Sequence, residues 1–318
     1  MSTPRYVVLS GGVGGARFAR GLVAATEPGQ VTVIGNTGDD FVHLGLAISP
    51  DLDTLMYTLA GVVNEETGWG RRDETWNFLA TLRAMGGEDW FRLGDRDLAV
   101  HVERTRLLAT GRPLTDVTAE LCRRLGVTAR LLPMTDVPVR TLVDTDEGEL
   151  AFQDYFVRRR TEPRVRGLRY AGAATAPPSG PVAAALTDPD LAAVFIGPSN
   201  PWLSIAPMLA IPSLAAALRS VAVPVVAVSP IVAGKALKGP AARIMADLGV
   251  PVSATGVAEY YRGVATGLIL DQADAGLAPA VGATGLAAGI TGTIMTDTAA
   301  ATALARYCLG FAASLRRR

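Results

Sequence analysis

Four short apolar runs, each broken off by a cluster of small or polar residues, constrain this chain more than any other feature. Val7–Ser10 ends in Gly11-Gly12-Val13-Gly14-Gly15, and Val31–Ile34 ends in Gly35-Asn36-Thr37-Gly38-Asp39-Asp40. Ala193–Ile196 ends in Gly197-Pro198-Ser199-Asn200-Pro201, and Pro224–Val228 ends in Ser229-Pro230-Ile231. Continuous apolar runs, rather than alternating ones, suit strands buried on both faces, as in a parallel sheet. Between the first two runs, Ala16–Ala25 has helical spacing, with Phe18, Leu22 and Val23 on one face. The N-terminus therefore reads strand, turn, helix, strand. Ligands of open α/β sheets bind beyond the carboxyl ends of the strands, so the polar clusters should gather along one edge of one sheet. The expected fold is α/β: a Rossmann-like, mostly parallel sheet with an inserted, more helical cap region.

The cap is expected at residues 55–175, with 1–54 and 176–318 forming the nucleotide-binding sheet domain. The middle stretch is richer in Arg, Trp, Glu and Asp than its flanks. Helical spacing covers Leu55–Val63, Thr75–Met85 and Thr115–Leu125, and short strands are expected at Ala129–Leu132 and Arg140–Val143. The basic segment Thr161–Arg169 reads as a surface loop, and Ala173–Pro181 as a linker back to the sheet. Thr298–Leu315 is an amphipathic helix whose dipole the arginines 316–318 complement.

With 318 residues, 49% hydrophobic and 19% charged, the chain can bury a large core. Its formal net charge of zero gives no electrostatic footprint for nucleic acid or a membrane surface. Two distant cysteines, Cys122 and Cys308, argue against a disulfide framework or a zinc site and for a reducing compartment. The apolar run Ile205–Val232 is cut by Pro207, Pro212, Arg219, Pro224 and Pro230, so no piece spans a bilayer. No signal peptide is read at the N-terminus, and a cytoplasmic protein is expected.

The chemistry-bearing residues fall in the loops after the strands. Gly11, Gly12, Gly14 and Gly15 open a helix, where backbone N–H groups and the helix dipole favour a phosphate. Arg17 stands where a dinucleotide fingerprint has its third glycine, and no Lys-Ser/Thr follows as in a Walker loop. Asn36–Asp40 and Ser49-Pro50-Asp51-Leu52-Asp53-Thr54 put four carboxylates into a short apolar span. Asp39 and Asp53 beside a phosphate loop are candidate Mg²⁺ ligands, since Mg²⁺ is typically held by one or two carboxylates plus substrate phosphates. Asp51 also suits the N-cap of a helix beginning at Leu52. His43 and His101 are poor ligands for a hard cation that prefers oxygen. Ser199-Asn200 displays a hydroxyl and an amide on a stiff turn, suited to a ribose or base edge. The loop after Ser229 carries the only two lysines, Lys235 and Lys238, between glycines, which favours a phosphate role. Arg92–Asp97, next to Trp90-Phe91, is either a surface ion-pair turn or a seat for a planar or anionic ligand.

These motifs, together with Gly94-Asp95-Arg96-Asp97, Leu132-Pro133-Met134, Phe152-Gln153 and Val228-Ser229-Pro230, occur in an order that resembles the 2-phospho-L-lactate transferase (CofD-like) family of coenzyme F420 biosynthesis. The resemblance spans nearly the whole chain. It implies transfer of a phosphoenolpyruvyl or 2-phospho-L-lactyl group from a GDP-activated donor to 7,8-didemethyl-8-hydroxy-5-deazariboflavin (Fo), with loss of GMP. It also implies Mg²⁺ on Asp39 and Asp53, and Fo against Asp53 and Arg92, with Trp76 and Trp90 flanking its ring. Asp53 would orient the attacking hydroxyl. The glycine loop, Ser199, Asn200, Ser229 and Lys238 would hold the guanosine diphosphate, in a homodimer. Two alternatives stand beside this: a non-catalytic CofD-like regulator that binds nucleotide sugars, and an NAD(P)-dependent oxidoreductase. The Asp51-Leu52-Asp53-Thr54 run speaks against the first and the missing third glycine against the second.

Overall fold

The computed structural model describes residues 3–316; Arg317 and Arg318 of the basic tail lie outside the described residues. Seven strands form one parallel sheet: β1 (Arg5–Ser10), β2 (Val31–Gly35), β3 (Arg130–Pro133), β4 (Leu191–Ile196), β5 (Val225–Val228), β6 (Gly267–Asp271) and β7 (Ala287–Thr291). Their order is 7-6-5-4-1-2-3, with every neighbouring pair parallel. The chain winds outward from β1 through β2 to β3, then returns to build the other half from β4. The crevice between β1 and β4 is thus the topological switch point, where such sheets bind ligands.

Both faces of the sheet are covered, as the apolar runs required. Val7, Leu9, Val194 and Ile196 face a core with Leu214, Ile244 and Val257. Val8, Val33 and Phe195 face the opposite core with Phe18, Leu52, Leu55, Val117 and Leu304. The helices that matter for the site are α1 (Gly12–Ala24), α2 (Pro50–Leu59), α3 (Asn77–Ala84), α4 (Asp95–Leu108) and α5 (Leu114–Arg124). Pro50 opens α2, where its missing N–H costs nothing, and Asp51 and Asp53 in the first turn complement the dipole. The helix stops at Ala60 because Gly61 turns the chain with φ +67°, short of the expected Val63. The start of α4 is fixed by Glu74, whose carboxylate accepts the backbone N–H groups of Arg96 and Asp97 at 2.8 Å each. Arg92–Asp97 is therefore the entry to a helix, not an isolated surface turn.

Two expectations are corrected. The strand near residue 130, assigned to the cap, is β3, the edge strand of the main sheet, paired with Thr32–Gly35. Helix α5 is the crossover that delivers it, and α2 and α5 bury their apolar faces on the same core as β2. The inserted stretch is thus interrupted by a piece of the sheet domain. Second, the basic segment Thr161–Arg169 is not simply a loop: Val165–Ala171 pairs antiparallel with Arg140–Thr145, which also pairs with Gly148–Ala151. Arg166, at a register shift in this pairing, and Arg169 are exposed while Val165 is buried. The C-terminal helix is found at Thr298–Leu315. Among the described residues no single helix is long and apolar enough to cross a membrane; Pro201–Leu209 and Pro212–Ser220 meet at a bend of 92°.

Candidate functional site

A cavity of about 730 Å³ opens at the switch point, well within the range of small-molecule sites. Gly11, Gly12 and Gly14 line it at the mouth of β1. The helix begins at Gly12 rather than at Ala16, so the glycines are its first turn and its free N–H end faces the cavity. Gly12 has φ +61° with open space around it, a conformation that disfavours other residues. The next glycines are small for a different reason. A Cβ on Gly14 would stand 2.5 Å from the carbonyl oxygen of Pro198, and one on Gly15 2.3 Å from the hydroxyls of Ser10 and Ser199. Gly15 packs beneath the turn and does not line the cavity. The hydroxyl of Ser199 ties the two strand ends together, accepting from Gly11 N (3.1 Å) and donating to Gly11 O (2.8 Å). Asn200 spends its carbonyl on the backbone N–H groups of Trp202 and Leu203, leaving its buried amide nitrogen without a protein partner on the cavity wall.

Asp39 and Asp51 line the cavity, and Asp40, next in the chain to Asp39, lies off its wall. Asp51 is no N-cap: it lies inside α2, and its Oδ1 accepts Gly12 N at 2.7 Å while Oδ2 accepts from the Asn36 side chain at 3.0 Å. Asp51 thus holds the glycine turn in place. Burial raises its pKa, against the hydrogen bonds from Asn36 and Gly12. Asp39 is buried on the cavity wall with Oδ1 unpartnered. Burial, and then the charge of Asp51, pushes its pKa well above the carboxylate range. Burial lifts Asp40 to about 8, although Ser49 donates to its Oδ2 at 2.8 Å. The orphaned oxygen leaves Asp39 a free acceptor on the cavity wall. Among the described residues no three His, Cys, Asp or Glu side chains form a metal cage; Mg²⁺ needs only one or two carboxylates when phosphates supply the rest.

Asp53 lives under opposite conditions. It lines the same cavity, yet both its oxygens are taken by the guanidinium of Arg104: Nη1 reaches Oδ2 at 3.1 Å and Nη2 donates to Oδ1. Arg104 is only 2% exposed. Its Nη1 also lies 3.1 Å from His101 Nδ1, and His101 Nε2 lies 3.2 Å from Asp97 Oδ1. A guanidinium can only donate, so Nδ1 accepts and Nε2 carries the ring proton toward Asp97. Tyr57 closes the chain by donating to Asp97 Oδ1 at 2.6 Å. Burial, then Asp97 and Asp53, raises the Tyr57 pKa. Burial works against ionisation of Asp97, but His101 and Tyr57 outweigh it and hold that carboxyl below its ordinary value.

The far wall is aromatic. Trp90, Phe91, Phe152 and Phe156 line the cavity, with Phe152 and Phe156 stacked at 5.3 Å. Arg92 lines it too, its guanidinium 4.5 Å from the Trp76 ring centroid; Trp76 itself faces a smaller side cavity of about 160 Å³. Lys238 reaches the cavity edge and donates to the carbonyl oxygens of Thr67 (3.1 Å) and Glu66 (3.4 Å). Ser229 stands apart: its hydroxyl is turned into its own loop, donating to Ile231 O, and it is absent from the wall. Sequence reasoning missed Arg104, Tyr57, Trp69 and Phe156. Only Tyr57, four residues after Asp53 on the same helix, carried a signal in its spacing.

A doubly wound sheet with a glycine-opened helix and an acid-rimmed cavity at its switch point defines an α/β protein built to hold a small ligand there. The family model for 2-phospho-L-lactate transferase CofD matches residues 6–278, and the chain belongs to that family. It is 43% identical over 318 residues to the phosphoenolpyruvate transferase of Streptomyces griseus, covering 98% of this chain and 99% of that one. It is 44% identical over 319 residues to the phosphoenolpyruvate transferase of Kitasatospora aureofaciens (98% and 99% covered) and 39% over 282 residues to that of Mycolicibacterium smegmatis (83% and 86%). A solved protein of the upf0052 family from Bacillus halodurans shares the fold, with a TM-score of 0.62 over 97% of this chain and 99% of that one at 14% identity.

Proposed function

We propose that the protein transfers a phosphoenolpyruvyl or 2-phospho-L-lactyl group from a GDP-linked donor to the terminal ribityl hydroxyl of Fo, in coenzyme F420 biosynthesis. Its curated relatives are phosphoenolpyruvate transferases, which favours phosphoenolpyruvate as the acid. The observation that carries the reading is that one cavity is walled at one end by a glycine turn with Asn200 and Lys238, and at the other by Asp53, Arg92 and aromatic rings. The first end suits a nucleoside diphosphate and the second a flat ring with a hydroxyl tail.

Phosphoryl transfer asks for positioning and charge neutralisation more than for covalent help. The first turn of α1 offers N–H groups to the diphosphate, with Lys238 swinging from its carbonyls to the phosphates. Asn200 offers its spare amide to the guanosine. Arg92 and Trp90 hold the ring of Fo, and Asp53 accepts a hydrogen bond from its hydroxyl. That oxygen attacks the phosphorus bearing the acid, the bond to GMP breaks and the hydroxyl proton is released. Asp39 and Asp53 fit Mg²⁺: Asp39 has an orphaned oxygen, and Asp53 keeps free lone pairs beyond those used by Arg104. Bound there, Mg²⁺ would offset charge on the phosphoryl oxygens, an effect of several kcal/mol. Ser229 has no place in this assignment. The inserted segments outside α2, α5 and β3 act as the acceptor-side cap, in a cytoplasmic homodimer.

The test is mass spectrometry of the product formed from Fo and each GDP-linked acid with Mg²⁺. The expected result is the phosphodiester of Fo with phosphoenolpyruvate, plus GMP. Binding of a nucleotide without any Fo adduct would contradict it.

A further inference from the structure

The geometry points to Arg104 as a positioning residue of the transfer reaction, one that fixes the plane of the Asp53 carboxylate from behind. This inference rests on the function proposed above. Arg104 does not line the cavity, so it acts only through what it holds. It spans both oxygens of Asp53 across 51 residues of sequence and contacts His101 Nδ1 at 3.1 Å. His101 is in turn braced on Asp97, which Tyr57 anchors. Asp97 and His101 lie four residues apart on α4, and Asp53 and Tyr57 four apart on α2, so the network links the two helices through long side chains.

Stability alone is a weak reason for such a pair, since buried ion pairs are often replaceable by apolar packing at no loss. Orientation is a better one. A planar guanidinium sets the plane of a carboxylate, whereas an ammonium is a point charge that leaves it free to rotate. Asp53 is also the one cavity carboxylate held by a buried guanidinium, while Asp39 and Asp51 have none within salt-bridge distance among the described residues. The partners behind a reacting carboxylate typically matter 10–100-fold when changed, by about the same order here.

The experiment compares wild-type full-length protein with Arg104→Lys. The expected result is a fall in kcat of about 10–100-fold, with the dissociation constant for Fo, measured by equilibrium dialysis without divalent cation, moved less than about threefold. Arg104→Ala should regain turnover when guanidinium ion is added, and not when ammonium is. His101→Gln keeps the Arg104–Asp53 pair but removes the ring brace, and serves if the arginine variants do not fold; it should lower kcat by a larger factor than it weakens Fo, whose cavity His101 also lines. Wild-type kcat in folded Arg104→Lys or in His101→Gln overturns the inference, as does a loss of kcat and Fo affinity in step with the folded fraction. A wild-type protein that forms no Fo adduct overturns the function itself, which is a different result from an active wild type with unaffected variants.

Discussion

Asp53 and Asp39 look into the same cavity from opposite electrostatic conditions. Asp53 arrives with a bidentate guanidinium behind it, and that guanidinium also touches His101, which with Asp97 and Tyr57 forms the adjoining cavity wall. Asp39 faces other carboxyls: its second-largest perturbation is the charge of Asp51, and one oxygen has no partner. The α2–α4 side is therefore complete in itself, a charge neutralised and aimed by protein. The β2 loop is incomplete: burial and neighbouring carboxyls make Asp39 and Asp40 costly to ionise beside the glycine turn. One region is suited to hold an acceptor group in a fixed direction. The other is suited to bind a cation, whose arrival would relieve the repulsion already present.

The contrast is sharpest when the same isosteric change is made on both sides. Asp53→Asn leaves Arg104 buried without its partner, and breaking such a pair costs about 3–5 kcal/mol. It should abolish Mg²⁺-dependent product formation and also lower the melting temperature. Asp39→Asn should cut turnover by about 100-fold or more, the equivalent of several kcal/mol of lost charge stabilisation. Yet in metal-free buffer its melting temperature should hold or rise, since it removes repulsion. Equal destabilisation of the two variants would break the comparison.

A smaller effect reads the cost of ionising Asp40 directly. The folded pKa of Asp40 is raised from 3.8 to about 8, so the folded state binds its proton more tightly than the unfolded chain. The stability this contributes is fully present below pH 3.8 and is lost as pH rises to about 8. Asp40→Asn cannot titrate, so its melting temperature should gain on that of the wild type progressively across this window, and the gain should shrink when Mg²⁺ is added. A difference between the two proteins that does not vary with pH would show that Asp40 is not under strain.

Much of the frame was legible because it depends on local pattern. The continuous apolar runs became the strands β1, β2, β4 and β5, and the C-terminal helix follows its amphipathic stretch. The acidic and glycine clusters do converge, since strand ends of a parallel sheet share an edge. What was hidden depends on pairing between distant segments. Nothing near residue 130 announces that Arg130–Pro133 extends the main sheet rather than the cap, because a strand's partner is chosen by the crossover before it. Asp53 and Arg104 are likewise brought together only by the tertiary fold, 51 residues apart in the chain. Ser229 has a suitable residue type in a suitable loop, but its hydroxyl is consumed by its own turn.

The division of labour between the two acidic sides is tested most directly by anomalous diffraction from a crystal soaked with Mn²⁺ and GDP. A peak is expected within coordination distance of Asp39 and Asp53, near the 2.0–2.1 Å typical of Mg²⁺ (about 0.1 Å longer for the larger ion), while Asp53 keeps its Arg104 pair. A metal bound away from Asp39, or one that binds only after Asp53 has left Arg104, would contradict that division.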